Sequence, residues 1–377
     1  MRPVTDNDPF PEITLPSGDV MRTVPRYADV REVLSDPRFT RELHRAADSP
    51  RIARGADISD DRDSLLNMDP PRHTKLRRTV TGAFTPRRVA TWQPRIDEIT
   101  DRLLTELTTA GPPADLMAAF AFPLPILVIC ELLGVPGQDR ERFRDWAASA
   151  LTTATEAAEE RARARREFYT YISELLAARR ATPGDALIDA LLTARDGDDM
   201  LTERELVSLI ENLITAGHET TTNLIGGGIF TLLSEGHYEA LAQDPALLPG
   251  FAEELLRHDS PAPYAMPRLA TEDVELPSGL IRRGQTVLPL VTAANRDPSV
   301  YPDPETFDPD RAGQPHLTFG HGPHFCLGAN LAKLELERAL TALTKRLPGL
   351  ALAVPAADVS WRTGGLVNGP ERLPVTW

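Results

Sequence analysis

Residues Phe319 to Gly328 read FGHGPHFCLG. Its cysteine, Cys326, stands just before a run whose apolar spacing predicts a helix from about Leu327 to Arg346. Gly320 and Gly322 precede it and Gly328 follows. The thiolate is the nucleophilic and metal-binding form of cysteine. The first turn of a helix offers free N–H groups and the positive end of a dipole, and both stabilise that anion. Glycine lets the backbone fold around sulfur without side-chain clashes. The commonest fate of a free cysteine is a buried apolar side chain. Cys130, at the end of the apolar run from Leu116, reads that way. The glycines and the two histidines, His321 and His324, set Cys326 apart as a candidate ligand.

The pattern F-G-x-G-x-H-x-C-x-G resembles the heme-binding loop of cytochrome P450 enzymes. The resemblance implies that Cys326 is the axial thiolate on heme iron, in a loop that includes Phe319 and Gly328. It implies that His324 contacts a heme propionate. A thiolate ligand pushes electron density onto iron and favours O–O cleavage. The implied fold is mainly α with a minor β portion, a single large domain over residues 1–377, with a long central helix over heme b (iron protoporphyrin IX).

Upstream, Thr202 with Glu205 three residues later forms a capping-box signature. Leu206, Leu209, Ile210, Leu213 and Ile214 then recur at helical spacing. The pattern continues to about Ser234, so a helix of roughly 30 residues would be roughly 45 Å long. Gly217 lies in its middle and Gly226, Gly227 and Gly228 follow. Glycine inside a helix costs about 1 kcal/mol relative to alanine. Close approach of another group and a plain packing contact both explain it. Ala216 to Thr221, AGHETT, resembles the family's oxygen-activation motif A-G-x-[DE]-T. Gly217 would let a flat cofactor or O2 lie against the helix. Glu219 and Thr220 supply a carboxylate and a hydroxyl able to relay protons. The resemblance implies that Thr220 steadies dioxygen and Glu219 feeds protons.

Further matches follow in family order. Glu254 and Arg257 are i and i+3 on one helix face and fit the family's E-x-x-R. Arg311, ending FDPDR, matches the third partner that locks the proline-rich stretch to this helix, and the implied role of all three is structural. His73 and Arg77, i and i+4 in DPPRHTKLRR, resemble the H-x-x-x-R that holds heme propionates. Arg268, after Pro267, matches the position that meets the same carboxylates from the other side. Buried carboxylates need such partners, because an unpaired buried charge is costly. The resemblance runs from about residue 20 to the end, and implies that the family's first helix is abbreviated or absent.

Composition agrees with an ordinary soluble globular protein. The chain of 377 residues is long enough for an ample core. Two cysteines exclude a disulfide framework and a four-cysteine metal centre. With 55 Asp+Glu against 41 Lys+Arg, the net charge is −14, which argues against nucleic acid as a partner. The N-terminus carries acids and prolines where a signal peptide needs an apolar run. The run from Leu116 to Cys130 is too short for a bilayer and contains Pro123 and Pro125. A cytoplasmic protein without a membrane segment is expected. The chain has 34 prolines, well above the average of about 5%, and residues 296–311, an irregular meander, account for part of the excess. Elsewhere the pattern predicts a strand within 18–26 and a helix over 27–34. A polar loop follows over 41–68, then helices over 72–84 and 91–110. Helices are expected within 137–192, broken at Pro183-Gly184, and a helix at about 248–257. β-like stretches are expected within 272–292 and after Arg346.

The family's substrate positions map to the 46–66 loop, to Asn212, Thr215 and Ala216, to Tyr264 and Met266 in the Ala262–Met266 segment, and to Leu366 and Val367. Ordinary core packing also explains the apolar ones. Asn212 and Tyr264 offer hydrogen bonds, which suits a substrate with polar groups on an apolar frame, such as a polyketide, macrolide, terpenoid or modified amino acid. Residues 72–88 contain Arg72, Lys75, Arg77, Arg78, Arg87 and Arg88 and no acid. This is a solvated charged face or, by the resemblance, a dock for an acidic ferredoxin supplied by its reductase. Arg72, Lys75, Arg78 and Lys333 are the docking candidates. The expected activity is insertion of one oxygen atom from O2 into a small organic substrate, by hydroxylation or epoxidation. Phenol coupling, nitration and peroxide-driven oxidation on the same fold are alternatives. A non-catalytic heme- or carrier-protein-binding module is a further one, which the intact thiolate and acid–alcohol pair disfavour.

Overall fold

The capping box at Thr202 forms. Glu205 N–H donates to Thr202 Oγ1 at 3.2 Å, and Thr202 N–H donates to Glu205 Oε2 at 2.9 Å. The helix it starts, Glu203–Ser234, has 32 residues and is about 48 Å long. Its buried residues face all directions, as in a helix at the centre of a core. Helices Pro123–Leu133, Ala158–Ala181, Leu248–His258 and Ala329–Arg346 pack directly on it. Gln93–Ala110 packs against two of these, Pro123–Leu133 and Ala329–Arg346. The core they share includes residues from Leu65 to Val375, and Cys130 is buried in it. The three later glycines are packing contacts. Gly226 lies against Met117, and a Cβ at Gly228 would stand 3.2 Å from Leu255 Cδ1. The structure is a computed structural model. It describes all residues except 1–7, 47, 53–57, 140–141, 143–145, 147–157, 185, 194, 197–198, 312, 314 and 363–365.

The β portion is small. Its main sheet has the strand order Glu12–Thr14, Val20–Val24, Thr286–Pro289, Arg268–Ala270, Phe39–Thr40. Val20–Val24 and Thr286–Pro289 are parallel, and the other pairs are antiparallel. Helix Tyr27–Ser35 covers it with Tyr27, Val30 and Val33 in a second apolar cluster. Among the described residues no helix precedes Tyr27.

Boundaries moved where side chains or prolines act on the ends. Residues 72–84 divide into helix Arg72–Thr81 and a tight turn Gly82–Phe84. The helix expected at 91 begins at Gln93, with Pro94 in its first turn. Helices Ala158–Ala181 and Leu187–Thr193 flank Pro183-Gly184, while much of 140–157 lies outside the described residues. The helix after Cys326 starts at Ala329 rather than Leu327.

Residues 296–311 form neither helix nor strand, and a buried ion network holds them. Arg257 Nη2 and Nε each donate to Glu254 at 2.7 Å, and Arg311 Nε donates to Glu254 Oε1 at 3.2 Å. Arg257 also donates to the carbonyls of Asn295, Pro304 and Thr306, and Arg311 to that of Pro302. Burial opposes the charge of Glu254, but these hydrogen bonds outweigh it and hold its carboxyl below the usual range.

Candidate active site

Two left-handed residues shape the cysteine loop, Gly320 and Gly322, both with φ of 73°. A Cβ at Gly322 would stand 2.7 Å from the carbonyl oxygen of Leu34, so the loop can approach the first helix only through glycine. Cys326 N–H donates to the Phe319 carbonyl at 2.8 Å and closes the loop. Cys326 is exposed, yet enough protein surrounds the sulfur that desolvation raises its pKa. Backbone N–H groups of Gly328 and Ala329 and the Arg77 guanidinium pull the other way. The start of the following helix and one cation therefore favour the thiolate against that desolvation.

Beside it stands a group of basic side chains with few acids. Arg77 Nη2 donates to the Phe325 carbonyl at 2.5 Å. The rings of His73 and His324 lie 4.1 Å apart. Arg268 is 4% exposed and donates to the carbonyls of Met266 and Pro267, with no carboxylate partner among the described residues. Arg41, which sequence reasoning missed, is also buried, and donates to Leu66 O at 2.8 Å and Asn67 Oδ1 at 2.6 Å. Asp69 accepts from the Arg41 backbone at 3.0 Å. Burial and the neighbouring Arg77 and Arg268 push His73 down to about 4, against the pull of Asp69. Burial and Arg268 hold His324 far below its ordinary value. Burial and then Arg41 press on Arg268 in the same way. Among the described residues this cluster brings the guanidinium groups of Arg41, Arg77 and Arg268 around His73 and His324, and His73 Nε2 is buried with no hydrogen-bond partner. A ligand with two carboxylates matches this charge excess and that orphaned nitrogen. Heme carries two propionates, and the thiolate at Cys326 suits its iron, so the donor set fits heme.

The central helix presents a stripe to open space. Ala216 is exposed and Leu213, Gly217 and Thr220 are half-buried, at i, i+3, i+4 and i+7, while Thr215, His218, Glu219 and Thr222 are buried. A Cβ at Gly217 would meet Ile129 Cδ1 only at 3.8 Å, so protein packing alone does not require glycine there. Thr220 Oγ1 donates to the Ala216 carbonyl at 2.5 Å. Glu219, one residue back and about 100° around the helix, turns away from the stripe and pairs with Arg362 at 3.1 Å. Burial raises the pKa of Glu219, and Arg362 counteracts it. Adjacency in sequence therefore does not put the acid and the alcohol on one face.

The expected pocket residues are placed unequally. Asn212 Nδ2 donates to Ser64 Oγ at 2.8 Å, and Ser208 Oγ donates to Asp61 Oδ2 at 2.8 Å. Arg72 joins this clasp through Asp63 at 2.8 Å and Glu205 at 3.2 Å. The clasp fastens the loop before residue 72 to the start of the central helix, and the Arg72 side chain remains 46% exposed. Lys333 is likewise paired with Glu253. Lys75 is half-buried, and Arg78, Arg87 and Arg88 are exposed. Thr215 Oγ1 donates to the Glu211 carbonyl at 2.8 Å. Tyr264 packs on Leu15, Met21, Leu288 and Leu290 of the sheet. Met266 and Leu366 are half-buried and Val367 is buried. Residues 47 and 53–57 of the expected substrate loop lie outside the described residues.

A cysteine thiolate loop beside a carboxylate-seeking cluster, under a helix-rich fold, defines a heme-thiolate protein. The cytochrome P450 family model matches residues 238–347, and the chain belongs to the cytochrome P450 family. Nocardicin C N-oxygenase of Nocardia uniformis subsp. tsuyamanensis is 44% identical over 377 residues, covering 100% of this chain and 94% of that protein. Mycinamicin IV hydroxylase/epoxidase of Micromonospora griseorubida is 43% identical, covering 99% and 93%. The crystal structure of the LnmA cytochrome P450 hydroxylase from the leinamycin biosynthetic pathway of Streptomyces atroolivaceus matches with a TM-score of 0.89 and 42% identity, covering 99% and 94%. The similarity includes the first 20 residues, so it reaches further toward the N-terminus than the motifs do. The protein is a cytochrome P450 monooxygenase, its fold is the P450 fold, and its cofactor is heme b. Among the described residues no helix is long and apolar enough to cross a membrane.

Proposed function

We propose that this monooxygenase hydroxylates or epoxidises a small secondary metabolite, with Cys326 as the thiolate ligand of the heme iron. The observation that carries the reading is Cys326, an exposed residue whose thiolate is favoured by helix-start N–H groups and by Arg77, beside the basic cluster around His73 and His324. Heme, when bound, supplies the activation of O2 by two electrons and the transfer of one oxygen atom.

This chain's residues do the rest. Phe319 and Gly328 frame the loop that presents Cys326. Arg77 and Arg268 hold the propionates by charge, and His73 and His324 by neutral ring N–H groups. Ala216 and Gly217 keep the open stripe free of bulk, and Thr220 presents its hydroxyl there. Glu219 takes up protons on the far face of the helix and supplies them toward Thr220. Asn212, Thr215, Tyr264, Met266, Leu366 and Val367 line the substrate space. The Nδ2 of Asn212 is committed to Ser64, so Oδ1 is the atom it offers a substrate hydroxyl or N–H. The named activities of the relatives on nocardicin C and mycinamicin IV support a substrate of this class. An acidic ferredoxin with its reductase supplies electrons, docking on the basic face that includes Arg72, Lys75, Arg78 and Lys333. Glu254, Arg257 and Arg311 brace the meander behind the loop.

The reduced, CO-bound protein is expected to show the long-wavelength Soret band of thiolate-ligated heme, and Cys326→Ala to lose it. Retention of that band in Cys326→Ala overturns the reading.

A further inference from the structure

The carboxy-terminal strands Trp361–Arg362 and Gly369–Pro370 pair antiparallel, with Trp361 opposite Pro370 and Arg362 opposite Gly369. This pair lies along one face of the central helix. Its contacts fall at Glu219, Asn223, Gly226 and Phe230, which are i, i+4, i+7 and i+11, with Gly227 beside them. Asn223 packs so closely on Gly369 that any Cβ there would collide with its amide. A Cβ at Gly226 would stand 3.5 Å from Pro370 Cγ, and one at Gly227 3.7 Å from the Trp361 ring. Phe230 and Trp361 meet edge to face at 5.2 Å. The seam ends in the ion pair between Arg362 Nη1 and Glu219 Oε2 at 3.1 Å.

The two ends of that ion pair are unlike. The Glu219 side chain is 5% exposed and that of Arg362 48%. Among the described residues Arg362 is the one charged group acting on Glu219. The neighbouring His218 points elsewhere, to the Phe122 carbonyl at 3.2 Å. Asn223 Nδ2 donates to the Glu219 carbonyl at 2.7 Å, so the residue seated against Gly369 also braces the turn that carries the acid. A buried carboxylate keeps its charge only with a partner, and here that partner reaches in from solvent.

We propose that Arg362 is a positioning residue, which keeps the Glu219 carboxylate ionised and aimed outward along the seam, so that the carboxy-terminal hairpin is part of the oxygen-activation machinery. The inference rests on the reading of Glu219 as the proton-supplying acid. Protons would enter at the exposed guanidinium end, bind a Glu219 oxygen and leave toward Thr220, returning the carboxylate to Arg362 with no net change.

The test uses the full-length, heme-loaded protein. The C=O stretch of protonated Glu219 is followed by infrared difference spectroscopy across pH, and assigned by its loss in Glu219→Gln. Arg362→Gln is expected to shift the Glu219 midpoint upward, because the charge opposing burial is gone, and Arg362→Lys to return it toward wild type. Arg362→Met, which keeps an apolar stem against the helix, replaces Arg362→Gln if that variant does not fold. An unmoved midpoint in the neutral variant overturns the role of Arg362. The solvent isotope effect on dioxygen consumption, driven by a surrogate ferredoxin and reductase, separates the two ideas. A moved midpoint with an unchanged isotope effect supports the positioning role and overturns the proton-supply reading of Glu219.

Discussion

His73 illustrates what a single buried side chain discloses. Its ring is 2% exposed, its Nε2 has no partner, and burial, aided by Arg77 and Arg268, pushes its pKa down to about 4. A hydrogen bond to a charged group is worth about 1.5–3 kcal/mol, so His73→Phe should weaken heme retention roughly 10-fold or more. The rate of heme transfer to apomyoglobin measures this. The same substitution removes an unsatisfied polar atom, so the heme-free chain should melt no lower than wild type. At this scale the sequence was legible wherever a motif names the residue. Cys326, His73 and Arg268 stand in recognisable spacings. Arg41 does not, because nothing in its neighbourhood marks an arginine that becomes 1% exposed.

At the scale of one element, the helix Ala329–Arg346 carries the least expected group. Its buried face is Leu331, Glu335, Leu336, Ala339, Leu340 and Leu343. Glu335 is 3% exposed and its Oε2 has no partner, and burial pushes its carboxyl up to about 8. The folded state therefore binds this proton more tightly than the unfolded one. Its contribution is fully present below the ordinary value of 4.5 and is lost as pH rises through about 8. Wild type should lose stability between those limits, and Glu335→Gln, which cannot ionise, should lose less. The difference between pH 5 and pH 8 should be of the order of a few kcal/mol, read from urea unfolding of both proteins. Helical periodicity predicted this element. It did not predict the acid on its inner face, because a heptad of mixed charges looks the same whether its face meets solvent or a neighbouring helix.

Over the whole molecule, the meander depends on one carboxylate. Glu254 joins Arg257 and Arg311, and Arg257 is 2% exposed. Glu254→Ala leaves a buried guanidinium without its counter-charge, which costs about 3–5 kcal/mol. Thermal unfolding should show this loss, and added salt should change it little, because buried pairs are weakly screened. The sequence by itself determined the long central helix, the Thr202 capping box and the glycine-bracketed cysteine loop, since each depends on residues within a few positions of one another. It also pointed to the residues that resemble the family's thiolate and acid–alcohol motifs. Tertiary structure decided the rest. It gave Glu219 a partner 143 residues later in Arg362. It brought Arg41 against the Pro267 carbonyl across 226 residues, and it tied Arg72 and Lys333 to acids of their own chain. These pairings arise because burial makes an unpaired charge costly, and the partner that relieves it is whichever group the packed helices bring within reach, not the one nearest along the chain.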